Sequence, residues 1–183
     1  MTDSARLYGG SLYDLAAQEG LTDQLMEETA AVDGLFRENE DYIRLLSEPS
    51  IARTERLGLL DKAFGGQAHP YLLNFLKILC ENGMMREYSG CCKEYRRRYN
   101  EANGIAEAVV TSAIALTESQ KKALVKKLES TSGKKILLTE RVNPGILGGL
   151  RVEFEGKQMD GTIEGRLSGL RKLVTSASAE GAE

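Results

Sequence analysis

Apolar residues in the first part of the chain recur at intervals of three and four, a spacing that predicts a succession of short amphipathic helices. Tyr8, Leu12 and Leu15 share one face of a first helix, behind the polar starters Asp3 and Ser4. Leu21, Leu25, Val32 and Leu35 line a second, beginning just after Gly20. A brief third helix over Tyr42–Leu46 stops before Pro49, because proline keeps its predecessor out of the helical region. Leu57, Leu60 and Phe64 mark a fourth, closed by Gly65-Gly66. Pro70 suits a first helical position, where the missing N–H costs nothing. Leu72, Phe75, Leu76 and Leu79 then build a strongly apolar fifth helix that ends at Asn82-Gly83. Met84, Tyr88, Cys91, Tyr95 and Tyr99 give the sixth. Helices this short, joined by a few residues each, pack as antiparallel neighbours in a bundle.

Past Gly104 the period changes. Ala108 and Val110 belong to a strand-like run, and Thr117-Glu118-Ser119-Gln120 is a capping box opening a helix with Leu124 and Leu128. Gly133 stops that helix, and Ile136 and Leu138 form a second strand. Leu150, Val152 and Phe154 alternate with Arg151, Glu153 and Glu155, as in a half-buried strand. Asp160 is a candidate N-cap for a last helix bearing Ile163, Leu167, Leu170 and Val174. The expected fold class is α+β: a six-helix antiparallel bundle over residues 1–105, then a small β-α-β-β-α domain over 106–175. The Ser/Ala/Glu-rich stretch 176–183 reads as a disordered tail.

With 183 residues, 42% of them hydrophobic, the chain can bury a core. Its formal net charge of −3 argues against a dedicated nucleic-acid binder, although the acidic excess lies in the helical part and the remainder is net basic. Three cysteines, two of them adjacent, make no disulfide framework and fit a reducing compartment. A single histidine and no repeated cysteine pair leave nothing to hold zinc. The N-terminus lacks a signal-peptide pattern, and no apolar run approaches the ~18 residues of a membrane span.

Candidate chemistry fails one motif at a time. Ser132-Gly133-Lys134-Lys135 lacks both the upstream glycine and the following hydroxyl of a phosphate-binding loop, so it reads as a helix stop. Gly148-Gly149 precedes a strand rather than a helix, which suits close backbone packing. His69 has no nucleophile beside it and reads as a solvated loop residue, while Cys80 and Cys91 occupy apolar helical positions. Arg96-Arg97-Arg98 fans away from the tyrosine stripe and reads as a solvated face. No catalytic residue, cofactor site or metal site emerges. What is left is a bundle tied to a small α/β domain, the outline of an adaptor.

The stretches VVTSAIALTESQKKALVKKL and VNPGILGGLRVEFEGKQMDGTIEGRLSGL resemble the C-terminal half of the F-type ATP synthase δ subunit, the oligomycin-sensitivity-conferring protein family. Ala5-Arg6-Leu7-Tyr8 and NFLKILCENGM match in the N-terminal half, and the likeness runs from Ala5 to about Val174. Gly148, Gly149, Asp160, Gly161, Leu167 and Leu170 are its most specific positions. The chain departs at Gly9-Gly10, where the family is usually alanine-rich, at Met84, where a basic residue is frequent, and at Gly145 and Thr162, where serine is.

The resemblance implies a non-catalytic stator connector without cofactor. Its bundle would bind the amphipathic N-terminal segment of an α subunit, and its second domain the peripheral-stalk b subunits. It would sit at the cytoplasmic face of a bacterial cell membrane, peripheral, reaching the membrane only through the complex, so that proton flow is coupled to ATP synthesis. For the α-subunit groove the expected residues are Tyr8, Ser11 and Leu15 on the first helix and Asn74, Ile78 and Asn82 on the fifth. Another class, a cytosolic RNA- or ribosome-associated adaptor, would use Arg96–Arg98 with the pairs Lys126-Lys127 and Lys134-Lys135 on phosphates.

Overall fold

The computed structural model describes residues 1–162 and divides the chain into two compact units, Met1–Ala102 and a second from Asn103 onward. The helix expected over 163–174, with Leu167 and Leu170, and the tail 176–183 lie outside the described residues.

In the first unit α1 (Asp3–Glu19) is capped by Thr2, whose hydroxyl accepts the Ala5 N–H at 3.2 Å, and closes at left-handed Gly20. α2 (Thr22–Glu38), α3 (Glu40–Leu46), α4 (Arg53–Phe64) and α5 (Pro70–Glu81) follow. A short 3₁₀ turn, Met85–Glu87, runs into α6 (Tyr88–Ala102). His69 does more than sit in a loop. Its Nδ1 accepts the Tyr71 N–H at 3.3 Å and caps α5, while its own N–H donates to Glu28 at 2.7 Å.

The core is led by aromatics. Phe36 meets Tyr88 and Phe64 edge-on at 5.1 and 5.9 Å, contacts worth roughly 0.5–1.5 kcal/mol each beyond the area they bury. Leu72, Leu76 and Leu79 of α5 are fully covered. Two periodicity readings need correction. The buried face of α1 is Ala5, Gly9, Gly10, Leu12 and Ala16, with Tyr8 and Leu15 only half-covered. In α2 it is Phe36 and Thr29 that go inside, and Leu35 is exposed.

Small residues line α1 because α6 lies against it. A Cβ on Gly9 would press into the Cys91 carbonyl and stand 2.9 Å from its Cα, and one on Gly90 would come within 2.8 Å of the Ala5 methyl. Glu94 of α6 has its side chain fully buried. Arg97 grips both its oxygens at 2.7 and 2.9 Å, and Arg98 adds a third bond at 3.1 Å while reaching Asp14 of α1 at 2.7 Å.

In the second unit β1 (Ile105–Ser112) pairs in parallel with β2 (Lys135–Val142), and α7 (Glu118–Ser132) makes the crossover between them. β3 (Leu150–Phe154) lies antiparallel on the other side of β1, and β4 (Lys157–Asp160) completes the order β2-β1-β3-β4. The Thr117–Gln120 capping box forms as expected, with Gly133 left-handed at the other end of α7. Ala106, Ala108, Val110, Ile136, Val152 and Leu128 make the core.

β4 adds a strand to the expected pattern, its hairpin turning on Glu155 and Gly156, both at positive φ. Asp160 therefore ends a strand. Its carboxylate accepts the Thr162 N–H at 2.9 Å and hydroxyl at 2.6 Å and pairs with Arg151 at 3.2 Å. Gly149 fulfils the close-packing expectation. At φ 85°, a Cβ there would push into the Gly161 carbonyl and stand 2.8 Å from Thr162 Cα.

Candidate groove between the first and fifth helices

α1 turns Ala5 and Gly9 toward α6 and leaves Leu7, Tyr8 and Leu15 on another face. Leu7 is 68% exposed, and with Tyr8, Ser11 and Leu15 it forms one wall of a groove of about 400 Å³. Tyr71, Asn74 and Ile78 of α5 form the other wall, and Leu12 and Phe75 lie at the base. The structure thus brings five of the six expected residues into one concavity: Tyr8, Ser11, Leu15, Asn74 and Ile78. Asn82 is not among them. It is the C-cap of α5, and its amide donates to the Ile78 carbonyl at 2.8 Å.

Leu7 and Tyr71 were not anticipated as lining residues. Their signal was available: Leu7, Ser11 and Leu15 stand at i, i+4 and i+8, and Tyr71, Asn74 and Ile78 at i, i+3 and i+7, each a single ridge. No charged side chain lines the groove. Its chemistry is that of a docking surface for an apolar ridge, the arrangement that receives an amphipathic helix.

The other candidates acquire structural roles. Lys134 pairs with Glu155 at 2.5 Å, and the glycine before it is a helix stop. Arg97 and Arg98 are engaged by Glu94, Glu101 and Asp14 on one or both sides, which takes them out of a free phosphate-binding patch. Cys80, Cys91 and Cys92 are buried free thiols, with burial pushing Cys91 up to about 11 and Cys92 up to about 12. Among the described residues no cluster of His, Cys, Asp and Glu could hold a metal ion, and no helix is long and apolar enough to cross a membrane.

Comparison with known proteins meets the same outline. The family profile described as ATP synthase delta (OSCP) subunit matches residues 5–174. The ATP synthase subunit delta of Gloeobacter violaceus is 32% identical over 173 residues, covering 93% of this chain and 94% of that protein. The protein of the same name from Shouchella clausii is 31% identical over 173 residues, covering 94% and 96%. A chain of the Toxoplasma gondii mitochondrial ATP synthase hexamer shares the fold at a TM-score of 0.73 and 17% identity, with 96% of this chain and 98% of that one covered.

Proposed function

The chain belongs to the ATP synthase delta (OSCP) subunit family, and from that premise we propose that the α1–α5 groove receives the amphipathic N-terminal segment of an α subunit. As a member of that family it is a non-catalytic part of the F-type ATP synthase, a stator that connects the F1 head to the peripheral stalk in the service of ATP synthesis and proton transport. Its association with the membrane is through the complex. In this reading the helical bundle, expected over residues 1–105 and closed as a unit at Ala102, caps the α3β3 head. The α/β domain that follows, expected over 106–175, holds the b subunits. The whole lies at the cytoplasmic face of a bacterial cell membrane, and no nucleic acid takes part. A connector so placed resists the torque of the rotor.

One observation supports the groove reading above others: residues far apart in the chain, on α1 and α5, line a single uncharged concavity with their larger side chains left uncovered. A folded chain gains nothing from leaving Leu7 in water, whereas a partner helix would cover it.

The pair Ile78 and Leu76 tests this. Ile78 is 37% exposed on the groove wall, and Leu76, two residues before it, is fully buried. Ile78→Asp is expected to leave the bundle folded and to weaken binding of a peptide of the α-subunit N-terminus by several-fold to hundreds-fold, since docking would bury an unpaired carboxylate. Leu76→Asp is expected to unfold the bundle. Circular dichroism and peptide titration on the same two variants read both. Unchanged affinity in a folded Ile78→Asp chain would move the interface elsewhere.

A further inference from the structure

The groove contains one polar group that neither the fold nor the solvent will serve once a partner covers it. Ser11 already donates its proton to the Leu7 carbonyl at 2.9 Å and can only accept. The hydroxyls of Tyr8 and Tyr71 stand at the far ends of their rings and can stay wet at the rim. Asn74 differs. Its amide makes no hydrogen bond among the described residues, and its short side chain holds it close to the α5 backbone, between Tyr71 and Ile78. Asparagine is also a poor helix former, placed here within an otherwise apolar stretch of helix. The helix itself has no use for it.

A helix that covers Phe75 and Ile78 must take the Asn74 amide out of water, which is unfavourable unless the helix returns a hydrogen bond. No charge lines the groove to neutralise an ionic partner. The geometry points to Asn74 as the specificity-determining residue of the groove: it requires a neutral amide or hydroxyl side chain among the apolar anchors of the bound segment. It discriminates against a helix that is apolar along its whole docking face. This rests on the groove reading above. It adds to shape a polar requirement, and polar requirements reject mismatched partners more sharply than apolar contacts do.

The test uses the full chain and a panel of synthetic peptides of the α-subunit N-terminal segment, each with one amide or hydroxyl residue replaced by Leu. Against the unaltered chain, one peptide of the panel is expected to bind about ten-fold or more weakly than the parent. Against Asn74→Leu that penalty is expected to vanish, while the parent peptide itself weakens and the other peptides keep their ranking. Asn74→Ala, which favours the helix, is the second variant and is expected to melt no lower than the unaltered chain. If the unaltered and Asn74→Leu chains rank the panel identically, Asn74 sets no specificity, and the groove reading survives. If the parent peptide does not bind, or binds Ile78→Asp equally well, the groove reading fails and this inference with it.

Discussion

A methyl group is the smallest addition that can be made at Gly9, and the α1–α6 contact has no room for it. Gly34, in α2, has open space around its Cβ position. Helix propensity alone favours alanine over glycine by about 1 kcal/mol at either place. Overpacking opposes it only at Gly9, where forcing the backbones apart costs about 1–3 kcal/mol or more. Gly34→Ala is therefore expected to raise the melting temperature and Gly9→Ala to lower it, a reversal of sign that thermal unfolding of the two variants measures directly. Gly9 faces the Cys91 backbone of α6, and Gly90 of α6 faces the Ala5 methyl of α1, so the contact is built of small groups from both helices. At the residue scale a departure that looks unfavourable in an isolated helix is the condition for two helices to meet.

Among the elements, α6 is tied to α1 by charge as well as by close packing. The Arg97 hydrogen bonds, with those of Arg98, hold the Glu94 carboxyl below its usual range, against the upward pull of its burial. A carboxyl lowered in the folded state contributes stability above its unfolded value, about 4.3, and loses it as pH falls through the lower folded value. Glu94→Gln is expected to destabilise the bundle by about 1–3 kcal/mol at neutral pH and to flatten the acid limb of its stability curve. Chemical denaturation across pH 2–7 checks this, and an unchanged acid limb would assign the dependence to other carboxylates.

The charged run gave no sign of Glu94's burial, because a solvated face and a buried ion pair have the same composition. Periodicity placed the helices well but misjudged the inward face of α1, since Ala5, Gly9 and Ala16 carry little hydropathy and are inside for their size. β4 was illegible for a related reason: all four of its residues are exposed, so no alternation marks it. In the groove, Tyr8 and Ile78 were legible as second ridges, whereas Asn82 looks equivalent to Asn74 in spacing and differs only in spending its amide on its own helix.

For the whole molecule, the arrangement invites a test of independence. The division falls between Ala102 and Asn103, and Gly104 follows in a left-handed conformation, φ 61°, just before β1 begins. The first unit closes its own core from Ala5 to Tyr95 without using a strand. Limited proteolysis is expected to cut near Asn103-Gly104 and to release a helical fragment that melts cooperatively. A fragment without helical circular dichroism would show that the bundle depends on the second unit.

The three thiols give the bundle a reporter of its own opening. Cys80, Cys91 and Cys92 are nearly inaccessible, and their burial raises the pH at which each would become a thiolate, the form that reacts. A thiol-selective alkylating reagent at neutral pH therefore meets no accessible thiol in the closed bundle, so the rate of thiol labelling counts excursions of the helices rather than collisions with the surface. A cysteine introduced on the exterior can carry a probe with the native three left in place, and those three can time the breathing of the same molecule while it bears load.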